Sequence, residues 1–385
     1  MGKWGKSDHM IYLDNAATTR VSESVAQTIY NTLTVQYANP SSLYAEGLSS
    51  RKVLDSARAA VAKALGCKSA EVYFTACGTE SNNIAILGAA RARKAWGNKV
   101  VTTGFEHPSV QNTVEALRME GFQVTVVPPC EDGSFDTARF LAEIDGQTVL
   151  ACAMRVNNEV GTLIDTPALA KAVKAKNRRT AFHCDAVQAF GKHPTALSGD
   201  IDTMAVSAHK LHGPKGIGAL YVRTGFNLAK TQFGGGQEKG LRNGTENIAY
   251  AAGFAEAVRT LKNSKAALSH VTALRDRLRE GVQQLPEAVV NSPADASPYI
   301  FNFSLPGYRS ETLLHFLESC GVLVSSGSAC GHGGRSHTLV AMGLDNERID
   351  SALRISFCAE NTEEDVDTLL DALHKAVQQL QKKTK

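Results

Sequence analysis

The stretch SAHKLHGPKGIG, residues 207–218, decides how this chain is read. An apolar run precedes it at 201–206 and another closes it at 217–222, with a Gly/Pro turn between. That pattern predicts strand, tight turn, strand. Lys210 sits at the mouth of the turn. A lysine is ordinarily a solvated surface charge. One held on rigid backbone and partly desolvated has a lowered pKa, which makes it a candidate Schiff-base nucleophile.

N-terminal to this stretch, strand and helix patterns alternate. A strand is predicted at 11–14, a helix at 21–33, a turn-rich loop at 37–47 and an amphipathic helix at 48–65 closed by Gly66. A strand at 71–75 then runs through Gly78-Thr79 into an Ala-rich helix ending near Lys94. A strand, a small-residue turn and a helix start can bind an anion through backbone N–H groups. The same pattern also suits a plain loop with Thr79 as helix N-cap. Strands follow at 99–103, 123–127, 149–154 and 180–184, with helices at 109–120, 135–144 and 167–177. Such repetition predicts an α/β fold with a mainly parallel sheet covered by helices.

Ligands of parallel sheets bind at the carboxyl ends of the strands. Four successive predicted strand ends carry reactive or orienting groups: His107, Asn157-Asn158-Glu159, Asp185 with Gln188, and Ser207 with His209-Lys210. Random placement would scatter them over both ends. Beyond lies a Gly-rich charged segment at 231–247, read as an exposed linker or a reach toward a partner. A long helical stretch is predicted over 249–285, weakly broken near Asn263. From Pro286 onward, short strands mixed with helices predict a smaller α+β domain with antiparallel strands. Its last helix starts at Thr362 as N-cap.

The domain scheme is thus an appended or frayed extension at 1–9, an N-terminal segment at 10–23 packing with the small domain, a large domain at 24–262 and a small domain at 263–385. Net charge is +3 across 385 residues, too little to argue for nucleic acid or an anionic membrane. No apolar run approaches the ~20 residues that span a bilayer. Eight scattered cysteines without a CxxC pair suit free thiols and a cytoplasmic location. Cys152 and Cys184, in apolar strands, read as packing.

Pyridoxal 5′-phosphate imposes four demands on a protein. Its aldehyde needs a lysine, its phosphate a helix N-terminus, its ring nitrogen a carboxylate, and its ring face a flat group. Lys210, Gly78-Thr79, Asp185 and His107 meet them jointly, although each alone has an ordinary reading. The chain also resembles the cysteine desulfurases, a class V family of the fold type I aminotransferase-like enzymes, over nearly its whole length. The resemblance rests on YLDNAATT (12–19), NPSSLY (39–44), GTESNN (78–83), EHPSV (106–110), VNNEVG (156–161), DAVQ (185–188), SAHKLHGPKGIGALYV (207–222), GLRNGTEN (240–247) and SSGSAC (325–330).

The resemblance implies a large domain with a seven-stranded sheet, a homodimer, pyridoxal phosphate as cofactor and L-cysteine as substrate. It implies Lys210 as the Schiff-base lysine, His107 stacked on the ring, Asp185 at the ring nitrogen and Gln188 at the ring hydroxyl. Gly78, Thr79, Ser207 and His209 match phosphate-binding positions, and Thr245 one that reaches the phosphate of the neighbouring subunit. Asn158 and Arg354 match positions that hold the substrate carboxylate. Arg354 alternates with Leu353 and Ile355, so it points away from their apolar face. Cys330 matches the nucleophile that takes sulfur as a persulfide and hands it to an acceptor protein for Fe–S cluster assembly, thio-cofactor synthesis or tRNA thiolation. Through such a persulfide Cys330 could transiently contact a cluster; no resident metal is expected. The following segment, Gly331 to His337, is shorter and richer in glycine than in long-loop members and lacks their Glu-Pro pair. A selenocysteine lyase, another class V lyase or aminotransferase, and a non-enzymatic sulfur carrier are the alternatives.

Overall fold

The run of alternating elements folds around one large sheet. A computed structural model describes residues 10–194, 197–261, 264–326 and 335–382. The chain begins with β1 (Ile11–Tyr12), α1 (Glu23–Val35), α2 (Ala45–Leu65), β2 (Val72–Thr75) and α3 (Gly78–Arg93). There follow β3 (Lys99–Thr103), α4 (Pro108–Met119), β4 (Gln123–Val127), α5 (Thr137–Ala142), β5 (Thr148–Cys152), α6 (Thr166–Lys176) and β6 (Ala181–Asp185). Next are β7 (Thr203–Ser207), β8 (Gly218–Val222), α7 (Ile248–Arg259) and α8 (Ser264–Gln283). The last part holds β9 (Val289–Val290), β10 (Ile300–Ser304), α9 (Ser310–Ser319), β11 (Val322–Leu323), α10 (His337–Ala341), α11 (Asn346–Asp350), β12 (Ala352–Ser356) and α12 (Glu363–Gln379).

The large sheet has seven strands in the order β2-β8-β7-β6-β5-β3-β4. All neighbours run parallel except β8, which is antiparallel to both β7 and β2. Strands β5, β6, β7 and β8 are buried along their whole length, which is why they read as continuous apolar runs. The order places β3, β5, β6 and β7 side by side, so the four strand ends singled out in the sequence are neighbours in space.

The small sheet, β12-β10-β9, is antiparallel. β1 pairs in parallel with β11, tying the N-terminal segment to the C-terminal part of the chain. α12 starts with the expected Thr362 cap, completed as a capping box by Asp365.

The stretch 249–285 is two helices, α7 and α8, with α8 starting at Ser264, where the sequence showed a break. One expectation fails. The N-terminus of α2 reaches back to Ala45, into the predicted loop. Gly47 suggested a turn there, but its role is close approach: a Cβ would lie 2.4 Å from the Ser42 carbonyl oxygen.

Candidate active site

Lys210 lies on a single 3₁₀ turn, Ala208–Lys210, directly after β7. Its Nζ donates to the carbonyl oxygens of Ala16 (2.5 Å) and Ala17 (2.7 Å). A neutral amine has two hydrogens, so both are used and the lone pair stays free. Burial, reinforced by the charges of Lys192 and Arg354 and opposed by Asp14 and Asp185, brings the Lys210 pKa down to about 7.

Lys210 opens into a cavity of about 320 Å³ at the carboxyl end of the sheet. Gly78, Thr79, His107, Asn158, Asp185, Gln188, Ser207, His209 and Arg354 line the same cavity. Sequence reasoning nominated each of them from positions up to 276 residues apart. Asp185 ends β6; it accepts from Asn82 Nδ2 (2.7 Å) and from the Val187 amide (2.9 Å). It is therefore both a turn residue and a cavity carboxylate.

Behind Asp185 runs a polar relay. Asn82 Nδ2 also donates to Ser109 Oγ (2.9 Å), and Asn82 Oδ1 pairs with His183 Nε2 (2.9 Å). His183 Nδ1 meets Thr203 Oγ1 (2.9 Å). Burial holds the His183 pKa down at about 3, so its ring is neutral. A neutral ring that donates to the amide oxygen of Asn82 must accept from Thr203, which fixes the tautomer and turns the amide hydrogens toward Asp185.

His107 caps α4: its Nδ1 accepts from the Ser109 amide (3.1 Å) and meets Ser109 Oγ (2.9 Å). The ring is open to the cavity, while the protein around it lowers its pKa by desolvation against the pull of Asp185.

At the other end of the cavity α3 begins. Its N-cap is Cys77, not the expected Thr79, and Cys77 makes no side-chain capping bond. A Cβ on Gly78 would stand 2.7 Å from Val187 Cγ2, so only glycine lets the backbone approach here. Ser207 Oγ is buried without a hydrogen-bond partner. His209 contacts Thr18 Oγ1 (3.2 Å), and burial with neighbouring lysines brings its pKa down to about 4.

Arg354 is 1% exposed, on the central face of β12 opposite Leu353 and Ile355. It pairs with Asp14 (2.7 Å) and donates to the Asn158 carbonyl (3.0 Å), leaving Nε without a partner. Gln188 Nε2 donates to the Ala16 carbonyl (2.8 Å).

Comparison with known proteins agrees with this geometry. The class V aminotransferase family matches residues 11–369. Cysteine desulfurase IscS of Clostridium botulinum is 38% identical over 377 residues, 96% of this chain and 94% of that protein. The chain belongs to the cysteine desulfurase family. Among solved structures, a NifS-like protein superposes with a TM-score of 0.91 at 36% identity, covering 96% of this chain and all of that one. SspA in complex with cysteine gives 0.79 at 31% identity, covering 91% of this chain and all of SspA.

One nominated residue among those described does not line the cavity. Thr245 is exposed on the Gly-rich segment. That segment is not a free linker. Glu238 is buried, accepts two bonds from Arg58 (2.6 and 2.7 Å) and one from the Phe74 amide (3.0 Å). Cys330, matched to the nucleophile by resemblance, lies outside the described residues. Residues on both sides of it are described: one side meets cavity residue Arg354, the other Glu159, next to cavity residue Asn158. Ser325 bridges the backbone of Arg354. On the far side Ser336 and Thr338 both donate to the buried carboxylate of Glu159, whose pKa burial raises. Cys152 and Cys184 are buried, with thiol pKa values pushed up, to about 12 for Cys184.

Sequence reasoning assigned no role to Asp14, Ala16, Ala17 or Asn82, although YLDNAATT and GTESNN were noted. The repeated asparagine and the small Ala-Ala pair carry no chemical signal until the fold brings them to Lys210 and Asp185.

Proposed function

We infer that this protein is a cysteine desulfurase that removes sulfur from L-cysteine with pyridoxal phosphate as cofactor. The observation that carries the reading is Lys210: a half-buried amine with its lone pair free, in one cavity with Asp185 and Arg354. The donor set fits the cofactor. Ser207 Oγ is a buried hydroxyl in want of an acceptor, and Gly78 and Thr79 present an uncapped helix start for a phosphate. When bound, pyridoxal phosphate supplies an aldehyde for an amine and a ring that withdraws electrons from the substrate Cα.

The chain's own groups divide the remaining work. Asp185, oriented by Asn82, would hold positive charge at the ring nitrogen, and His107 would lie against the ring. Arg354 and Asn158 bind the substrate carboxylate, with the free Nε of Arg354 as an available donor. Lys210 takes the proton from the substrate Cα. The Cys330 thiolate then attacks the substrate sulfur. A Cys330 S–S bond forms as the carbon–sulfur bond breaks, and protonation of the carbon skeleton gives alanine. The tethering of its described flanks to Arg354, in the cavity, and to Glu159, next to Asn158, supports this role.

A homodimer is supported by exposed apolar side chains gathered on α1, α2 and the turn between them: Tyr37, Leu43 at 90% exposure, Tyr44 and Leu48. Phe233, on the Gly-rich segment with Thr245, is 84% exposed. Thr245 would then serve the partner's phosphate site. No described helix is long and apolar enough to cross a membrane. The sulfur acceptor is a protein of Fe–S assembly or thiolation, and the site of action the cytoplasm.

The test is assay of the purified protein with L-cysteine for alanine and sulfide. Cys330→Ser is expected to abolish both while the cofactor's visible absorbance stays. Full turnover in that variant would overturn the persulfide role.

A further inference from the structure

A second buried lysine lies beside the first. Lys192 follows β6 by seven residues and is 7% exposed. Among the described residues its Nζ has one hydrogen-bond acceptor, Gln188 Oε1, at a long 3.4 Å, and it stands 5.7 Å from the centre of the Tyr299 ring. Among the described residues no carboxylate lies within 4 Å of it. Lys192 and Lys210 line the same cavity of about 180 Å³, behind the cofactor cavity, together with Tyr299 and Cys358.

A continuous polar chain joins the two amines. Lys192 donates to Gln188 Oε1. The other end of that amide, Nε2, donates to the Ala16 carbonyl (2.8 Å), and the same carbonyl accepts from Lys210 (2.5 Å). Because Lys192 can only donate, Gln188 must turn its oxygen to Lys192 and its NH₂ to Ala16. We propose that Lys192 is a positioning residue for Lys210: it fixes the Gln188 amide and, as a buried cation lining a cavity with Lys210, favours the uncharged amine of Lys210 that attacks the cofactor aldehyde.

The surrounding charges are consistent with that division. Lys210 faces Asp14 beyond β1, Asp185 at the end of β6, Arg354 on β12, and the neutral rings of His107 and His209. Lys192 faces Cys358 beyond β12, Arg354, and His193, whose own pKa burial brings to about 4. The carboxylates thus lie on the Lys210 side, and only Lys192 and Arg354 oppose them. Burial also lowers Lys192, to about 8, which leaves it the later of the two amines to lose its proton. A cation that keeps its charge while its neighbour loses one suppresses the neighbour's protonation.

This inference rests on Lys210 as the cofactor lysine. Its test uses the full-length protein freed of cofactor, labelled with trace acetic anhydride across pH, with acetylation of Lys210 read by mass spectrometry. The midpoint for Lys210 is expected near 7 in the wild type and about one pH unit higher in Lys192→Met, whose side chain fills the buried stem without a charge. Lys192→Gln should do the same, and is read if the methionine variant fails to fold. Lys192→Arg, which never loses its charge, should leave the midpoint at or below the wild-type value. An unchanged midpoint in both uncharged variants, or an equal rise in Lys192→Arg, overturns the proposal. The measurement needs neither cysteine nor pyridoxal phosphate, so its failure leaves the desulfurase reading standing, and failure of that reading leaves this result standing.

Discussion

The cavity at the carboxyl ends of β3, β5, β6 and β7 and the surface formed by α1, α2 and the Gly-rich segment are built on opposite plans. In the cavity, polar groups sit on short, fully buried strands, and some are left without partners, as Ser207 Oγ and Arg354 Nε are. On the surface, apolar side chains are left without partners, while the backbone beneath is held by the buried Arg58–Glu238 pair. Unmet hydrogen bonds in a concave pocket suit a small polar ligand. Unmet apolar area on an exposed face suits a protein. The difference separates what this chain does alone from what it does with a second copy.

Variants can break that separation. The largest effect is expected from Lys210→Ala, which should cut alanine production by about 10⁴-fold, with sedimentation unchanged. A monomeric or unfolded Lys210→Ala protein would show that cavity and surface are not independent. Next is Arg58→Ala, which strands the Glu238 carboxylate among buried atoms. Loss of about 3 kcal/mol is expected in denaturant titration, and a midpoint equal to wild type would mean that Glu238 has other partners. Asp185→Asn keeps the shape but removes the charge, and about a 10²-fold loss of turnover is expected with cofactor still bound. Leu43→Glu should weaken self-association by about tenfold or more, leaving a monomer at low concentration by analytical ultracentrifugation.

The pH dependence sharpens the comparison on the cavity side. The Lys210 pKa is lowered, so the active amine is the form above the transition. Binding of pyridoxal phosphate by the cofactor-free protein should therefore accelerate as pH rises through about 7 and then level off. A rate that climbs only above pH 9 would mean that Lys210 is solvated.

Much of this was legible in the sequence because a parallel sheet concentrates function at one edge. Once the strands were read at 99–103 and 180–184, the residues just past them were candidates by topology alone. The antiparallel reversal at β8 was also legible, from the short Gly/Pro turn after Lys210. What was not legible depends on distance through space. Asp14 is 340 residues from Arg354, and no periodicity links them. Lys192 sits in a polar-looking Gly-Lys-His-Pro run that reads as surface, and only the covering by Tyr299 and Cys358 makes it buried.

The Asp14–Arg354 pair also sets a schedule for biosynthesis. Strand β12 lays its backbone against the N-terminal segment as well: the amide of Ser356 bonds the Leu13 carbonyl at 2.7 Å. A ribosome-bound chain that has already released Lys210, Asp185 and the complete large sheet still lacks one wall of its active site. The segment around Asp14, made before the large sheet, waits for a strand made after it. On the proposed roles, partial translation products carry Lys210 without Arg354 beside it, and activity waits until β12 has emerged.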